Sequence, residues 1–279
     1  MHKILGIGEI VVDKTYFLNE FPVEGLKFQS INSIEGVGGP VPTALKFLQN
    51  MGCEVELIGT VGDDYGAIFL KHELKKYKIK TDFIFGKSTK INTILVNNNS
   101  GERTIIKDLD RNNKIEKIDI EKIKKADAII FDRTEKKVFD FALKHKRKNT
   151  IIIADTSTEY NSSIIDFLKN SSQAIIPVEI IDNNKLDLVY SDIGKELIIT
   201  DGKNGTHIFD GKNKKTIPAL NIKPLDTNGA GDVFRGAYTW GLLENWSTEK
   251  IVKFANKVAG LQCTKKGNLG AVPEKKDLI

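Results

Sequence analysis

Cysteine is nearly absent from this chain. Cys53 and Cys263 alone cannot build a disulfide framework, and the expectation is two buried thiols in a reducing cytoplasm. Histidine is scarce too: His2, His72, His145 and His207 lie scattered, which does not suit a zinc site. No apolar run approaches the ~18 residues of a membrane span. Residues 1–13 are apolar but carry Glu9 and Asp13, so they read as a buried strand rather than a signal-peptide core. Internal repeats, low-complexity tracts and an interdomain linker are also missing. Nor is one sign of charge concentrated. The formal charge is +5, and Lys and Arg are spread along the chain apart from short runs such as 144–148, which read as a solvated helix end. That excess is too small to name a nucleic-acid partner. A mildly basic surface still favours acidic substrates such as nucleotides.

What is present suffices for one large α/β domain, or for one carrying a small subdomain: 279 residues, 40% of them hydrophobic. Short apolar runs alternate with helical patterns. Residues 3–12, 55–59, 128–132, 151–155, 174–177 and 196–200 read as strands. Residues 41–51 read as a helix that turns Ala44, Leu45, Phe47 and Leu48 to a core, and 67–77 as another. Such alternation predicts a mainly parallel sheet covered by helices. Two regions break the rhythm, 15–35 and 90–107. They read as short, partly polar strands separated by turns, with a strong hairpin signal at Asn97-Asn98-Asn99-Ser100-Gly101. Paired, they would form a small β subdomain projecting from the sheet.

The sharpest chemical signal is Asp226-Thr227-Asn228-Gly229-Ala230-Gly231-Asp232, followed by an amphipathic helix over 232–243. Gly229, Ala230 and Gly231 leave helix-start N–H groups with nothing bulky before them, and the helix dipole adds roughly half a positive charge. Together these make an anion hole suited to phosphate. Asp232 sits beside it, where a carboxylate can take the proton of an attacking hydroxyl during phosphoryl transfer. A glycine-rich helix start with an Asp cap would look the same locally.

A second motif follows the strand ending at Thr200: Asp201-Gly202-Lys203-Asn204-Gly205. Thr200 can hydrogen-bond a phosphate oxygen, and Gly202 and Gly205 let backbone approach a nucleotide; an ordinary β-turn is the alternative. Gly36-Val37-Gly38-Gly39-Pro40-Val41-Pro42-Thr43-Ala44 opens the next element, its paired glycines again allowing close approach, here of a polyol. Asp13 closes a buried strand, where an acid needs a partner. A sugar with two hydroxyls would serve, as would a backbone N-cap.

Two look-alikes fail. Gly86-Lys87-Ser88 resembles the end of a P-loop, but Thr81 stands where its first glycine belongs. Gly6-Ile7-Gly8 begins like a dinucleotide fingerprint but ends in Val11, within a strand. Trp240 and Trp246 read as packing residues.

In this order and spacing, the four segments resemble the ribokinase/PfkB family of carbohydrate kinases over nearly the whole chain. The Asp-Thr-x-Gly-Ala-Gly-Asp signature and the Gly-Gly segment are its hallmarks. Residues 59–64, 101–104 and 267–273 are similar as well. The resemblance implies a three-layer α/β/α sandwich with a mainly parallel central sheet and a small β-sheet lid. The core would comprise residues 1–14, 36–89 and 108–279, and the lid 15–35 and 90–107. It implies ATP with Mg²⁺, and Asp232 as the base beside the Gly229–Gly231 anion hole. Thr200, Gly202 and Gly205 would form the ATP-phosphate turn and Asn256 would pack near adenine. Asp226 would lie where many members bind a monovalent cation, K⁺ being the candidate. Asp13, Gly38, Gly39 and, in the lid, Arg103 would contact the sugar. A homodimer through the lid strands is the further expectation, with no nucleic-acid or membrane partner.

Two departures stand out. The family usually has Asn where this chain has Thr43, which offers one hydroxyl instead of an amide. The variant Gly-Gly-Pro-x-x-Thr-Ala is similar to branches acting on ketohexoses or their sulfonated analogues, for which Lys27 and Arg133 would bind an anionic group. The family's Asn-x-x-Glu is replaced by Pro177-Val178-Glu179-Ile180-Ile181-Asp182, so Glu179 or Asp182 would have to support magnesium through water. A ketose-like acceptor phosphorylated on a hydroxymethyl group is the expectation. The alternatives are a nucleoside kinase, with Tyr16, Phe17 or Phe28 as a stacker, and a non-catalytic nucleotide- or sugar-binding homologue.

Overall fold

The computed structural model describes residues 1–100, 102–108, 114–132, 136–155, 160–181 and 186–278. Five parallel strands form one sheet: β1 (Lys3–Ile7), β4 (Glu54–Val61), β5 (Lys80–Phe85), β8 (Ala128–Phe131) and β9 (Ile151–Ala154), in the order β5-β4-β1-β8-β9. A second sheet runs β10 (Ala174–Pro177), β11 (Leu197–Thr200), β12 (Thr206–Phe209) and β13 (Lys214–Ile217). Its first pair is parallel and the rest antiparallel. β9 meets the start of β10 where Ser172 N donates to Ile152 O at 2.7 Å. A third, smaller sheet has the order β3-β2-β6-β7, from β2 (Val11–Leu18), β3 (Asn32–Gly38), β6 (Lys90–Asn97) and β7 (Arg103–Ile106).

The three layers follow from the period of two along each strand. Ile4, Val55, Leu57 and Ile130 turn to one face and pack with α1 (Pro40–Asn50) and α2 (Tyr65–Lys76). Leu5, Ile7, Ile58 and Phe131 turn to the other and pack with α3 (Ile120–Lys125) and α4 (Lys136–His145). The second sheet continues the pattern. Ile175 and Ile198 meet α7 (Ala230–Leu243) and α8 (Thr248–Gln262), while Ile176 and Ile199 meet α5 (Ser162–Asn170) and α6 (Leu186–Ile193). Both faces of the strands are buried, as their near-continuous apolar runs require. Trp246 packs edge-on against Phe254 of α8, with centroids 5.3 Å apart. Cys53 and Cys263 are buried free thiols, and burial pushes Cys53 up to about 12. No helix among the described residues is long and apolar enough to cross a membrane.

One expected element is two. Residues 3–12 do not form a single strand. β1 stops at Ile7, the chain passes through Gly8, Glu9 and Ile10, and β2 restarts at Val11 in the smaller sheet. Apolar periodicity is continuous across the break, so nothing local marks it except Gly8, where a Cβ would stand 2.7 Å from that of Asp132. The same chain thus crosses from the parallel sheet to the smaller one and leaves a gap between them. The antiparallel pair β12–β13 and the strand β5 are additions that the apolar pattern did not single out.

Helix α7 is seated by α1. A Cβ on Gly236 would come within 2.8 Å of the Ala44 carbonyl oxygen, a backbone atom that cannot swing aside. Gly236→Ala is therefore expected to destabilise the fold by about 1–3 kcal/mol, the usual cost of overpacking. Urea unfolding with an unchanged m-value checks this, and an unchanged midpoint would contradict it.

Candidate active site

A cleft of about 550 Å³ opens between the C-terminal ends of the parallel strands, the first turn of α7 and the inner face of the smaller sheet. Gly8 after β1, Asp132 after β8 and Asp155 after β9 form its floor. Carboxyl ends of parallel strands are where open α/β sheets receive ligands. Asp13, Asn92 and Ile94 form the roof, and Asn228, Asp232 and Asn268 one wall.

Asp13 is held by register. It stands opposite Asn92 of β6 and Gly36 of β3, and Asn92 Nδ2 donates to its Oδ1 at 3.1 Å. A Cβ on Gly38 would lie 2.3 Å from Asp13 Oδ2. At Gly39, φ is 102° and a Cβ would lie 2.5 Å from the Glu9 carbonyl oxygen. The paired glycines thus make room for a carboxylate and for a crossing of chains. Burial pushes Asp13 up to about 6; the Asn92 hydrogen bond opposes this, the charge of Glu9 adds to it and that of Arg103 opposes it. Glu9 in turn is paired with Lys90 at 2.6 Å.

The opposite wall begins at Gly229, which caps α7 in the left-handed region with φ 74°. A Cβ there would stand 2.5 Å from Asn268 Oδ1. Four side chains fix this turn from elsewhere. Asp226 accepts from Asn228 N at 2.9 Å and from Gly267 N at 3.0 Å. Gln262 Nε2 donates to Asn228 O and Asn268 O, both at 3.1 Å. Thr43 Oγ1 donates to Asn268 Oδ1 at 2.7 Å, and Asn268 Nδ2 reaches Val37 O at 3.3 Å. The first-turn amides of α7, including those of Ala230 and Gly231, therefore begin the helix beside the cleft, where their dipoles favour an anion. Asp232 lies in that first turn and lines the cleft. Arg235, one turn on, is 5% exposed; its guanidinium pairs with Asp155 and lies 3.4 Å from Asp232 Oδ1.

The structure therefore brings Asp13, Gly39 and Asp232 to one cleft, with Gly38 behind Asp13 and Gly229 behind Asn228. Other sequence-derived candidates sit elsewhere. Thr43 is fully buried, and its hydroxyl is directed to Asn268 instead of into the cleft. Thr200 ends β11 outside the lining, and the Asp201–Gly205 turn closes through Asp201 N to Gly205 O at 2.8 Å. There Gly202 faces open space, whereas a Cβ on Gly205 would strike Ile217 O at 2.1 Å. Asn256 accepts from Thr206 Oγ1 at 2.7 Å and donates to Ile217 O and Pro218 O, both at 3.0 Å, so its amide staples α8 to the second sheet. Lys27 is exposed beyond β2, and Arg103 is exposed at the start of β7. Arg133 and Asp182 lie outside the described residues.

Neither expected metal position forms a cage. Glu179 is exposed in the turn after β10 and outside the cleft lining, and no group of three or more His, Cys, Asp or Glu among the described residues is arranged to hold a metal. Asp226 acts as a brace, each of its oxygens taking a backbone N–H.

Sequence reasoning passed over Asp132, Asp155, Asn92, Asn268 and Arg235. The first two end expected parallel strands, and an acid at that position is a signal that was available. Asn92 becomes visible only once the β2–β6 register is known. Arg235 shows only as a charge inside a run of buried helix positions, Val233 to Thr239.

Asp13 yields a pH prediction. Its folded value lies above the ordinary carboxylate value of 3.8. Its contribution to stability is therefore fully present below about pH 4 and is lost as pH rises through about 6. Asp13→Asn should be more stable than the native chain at pH 8, by on the order of 1–3 kcal/mol. That gain should close as pH falls from 6 to 4. Chemical denaturation at pH 4, 6 and 8 reads it, and a gain that does not vary with pH would refute the assignment.

Comparison with known proteins bears on the fold and the family. The profile of the pfkB family carbohydrate kinases matches residues 1–177 and 180–275. The chain is 25% identical over 310 residues to a ribokinase of Bacillus subtilis, covering 100% of this chain and 98% of that protein. Among solved structures, a ribokinase from Thermotoga maritima superposes with a TM-score of 0.84 at 21% identity, covering 100% of this chain and 98% of its own. An Arabidopsis thaliana ribokinase complexed with ribose and ATP superposes with a TM-score of 0.81 at 17% identity, covering 100% and 98%. The chain belongs to the pfkB family of carbohydrate kinases, phosphotransferases whose acceptor is an alcohol.

Proposed function

We propose that this chain transfers the γ-phosphoryl group of ATP to a hydroxymethyl group of a neutral, ketose-like sugar held between Asp13 and Asp232. The observation that carries this reading is the shared cleft: a buried carboxylate on the smaller sheet faces the first turn of α7, where a second carboxylate stands beside free-ended amides. Asp13 and Asn92 accept and donate to ring hydroxyls. Asp232 takes the proton of the hydroxymethyl group as its oxygen bonds to the γ-phosphorus and the bridging P–O bond to ADP breaks. The first-turn amides of α7 stabilise the charge on the phosphoryl group in flight. Mg²⁺ entering with ATP would neutralise its phosphates. The complex of the Arabidopsis relative with ribose and ATP supports this donor. Gly202, which faces open space beyond β11, is the point at which backbone can approach the nucleotide.

Two features of the lining choose among acceptors. Among the described residues, six carboxylates, of Glu9, Asp13, Asp108, Asp132, Asp155 and Asp232, line the cleft with three lysines, and the Arg235 guanidinium meets two of the six. Such a wall repels a sulfonate or phosphate on the acceptor, so a neutral polyol is favoured over an anionic ketose. No aromatic residue lines the cleft among the described residues, and Tyr16, Phe17 and Phe28 are not part of it. A nucleoside would lack its stacking partner there, which favours the sugar. The smaller sheet acts as the lid that excludes water. Ile91 and Ile106, exposed on its outer face, support pairing of two lids in a homodimer.

Release of ADP against neutral ketoses and aldoses, sulfonated and phosphorylated sugars, and nucleosides tests the acceptor. Turnover is expected with a neutral sugar, and turnover confined to nucleosides or anionic sugars would refute the reading. Asp232→Asn should still bind ATP but lose at least ~100-fold in turnover, as measured by the same assay at saturating ATP. Near-native turnover would remove Asp232 from the role of base.

A further inference from the structure

We propose that Arg235 is a positioning residue for phosphoryl transfer, its one guanidinium holding the carboxylates of Asp155 and Asp232 side by side at the cleft. The inference rests on the reading of Asp232 as the base. The geometry begins with helix spacing. Arg235 follows Asp232 by three residues and so lies on the same side of α7, one turn deeper. It is 5% exposed and Asp155, at the end of β9, is 6% exposed. Arg235 Nη2 pairs with Asp155 Oδ1, and Nη1 lies 3.4 Å from Asp232 Oδ1. The buried Nε meets no acceptor among the described residues. The fork is thus aimed at two carboxylates at the expense of a donor that burial would normally satisfy.

The charge balance gives this arrangement its consequence. Asp155 and Asp232 line the same cleft, with Asp132 on the floor and Asp13, Glu9 and Asp108 on the side of the smaller sheet. Lys90, Lys107 and Lys114 also line the cleft, Lys90 being engaged by Glu9. Among the described residues, Arg235 is a cation in contact with both Asp155 and Asp232. Without it, two neighbouring carboxylates in a partly dry site oppose each other's ionisation. A protonated Asp232 cannot accept the hydroxyl proton. The pair also ties the end of β9 to the first turn of α7, which fixes the direction in which Asp232 points.

Arg235→Gln tests this by its pH profile. At neutral pH kcat should fall at least ~10-fold while KM for ATP changes little, and the acid limb of kcat should move up by about one pH unit, so that activity recovers at higher pH. Loss of packing alone would lower kcat equally at every pH and leave the limb in place, and that result would overturn the proposal. The double variant Asp155→Asn with Arg235→Gln removes one charge of each sign. It should return the acid limb to its native position and exceed the turnover of Arg235→Gln alone. If the single variant does not fold, the double variant decides: activity within ~10-fold of native, with a native acid limb, supports the proposal. A loss as large as that of Asp232→Asn overturns it. Asp232→Asn run alongside keeps the two readings apart. If that variant is active, the base is misassigned. If it is inactive while Arg235→Gln keeps a native limb, only the role of Arg235 fails.

Discussion

The clamp on the turn at Gly229 is the constraint on which the catalytic wall depends. A left-handed residue there sets the direction of α7 and hence the position of Asp232. Nothing local enforces that turn except the absence of a Cβ. Its hold comes from Thr43 in α1, Gln262 at the end of α8 and Asn268 beyond it. The Thr43–Asn268 bond joins residues 225 positions apart. The start of α7 is therefore fixed only once α1, α7 and α8 have packed, and so is the anion hole proposed there. Its donors are then fixed before any ligand arrives, which is the condition under which dipoles stabilise a transition state most effectively.

The facing wall is governed by a different balance. Asp13 is driven into a half-dry position by the register of β2 with β6 and by the absence of side chains at Gly38 and Gly39. Burial disfavours its charge, and a hydroxyl-bearing acceptor would return the hydrogen bonds that water no longer supplies. Thr43 illustrates how the two walls are linked. Its single hydroxyl is donated to Asn268, a residue that lines the cleft, so Thr43 bears on the cleft through a neighbour.

The parallel sheet, the helix α7 and the membership of the family were legible in the sequence because they rest on periodicity and on one dense local motif. What was not legible follows a physical pattern. The break between β1 and β2 lies in an uninterrupted apolar run, and only the three-dimensional path around Gly8 reveals it. The three partners of Asn256, Thr206, Ile217 and Pro218, are likewise visible only in the fold. Sequence shows that a polar side chain needs a partner, not which of several will reach it first. Asp132 and Asp155 show the converse. Their positions at strand ends follow from the pattern, but their role depends on being brought opposite α7, a long-range fact.

The two carboxylates of the cleft also show why the same functional group serves two purposes. Asp13 is largely withdrawn from water and has the negative charge of Glu9 nearby, so its environment opposes charge despite the hydrogen bond that Asn92 donates at 3.1 Å. Asp232 stands at a helix N-terminus, where roughly half a positive charge favours the anion, with the Arg235 guanidinium one turn below. On the proposed reading, a group that receives a proton during transfer has to be unprotonated when the acceptor binds, and a helix start is the wall suited to it. A group meant only to hold hydroxyls can tolerate a value near 6. Phosphate is also favoured by amides such as those at the first turn of α7. Environment, more than residue type, therefore separates holding from proton transfer, and the division runs along the gap that the chain opened when β1 gave way to β2.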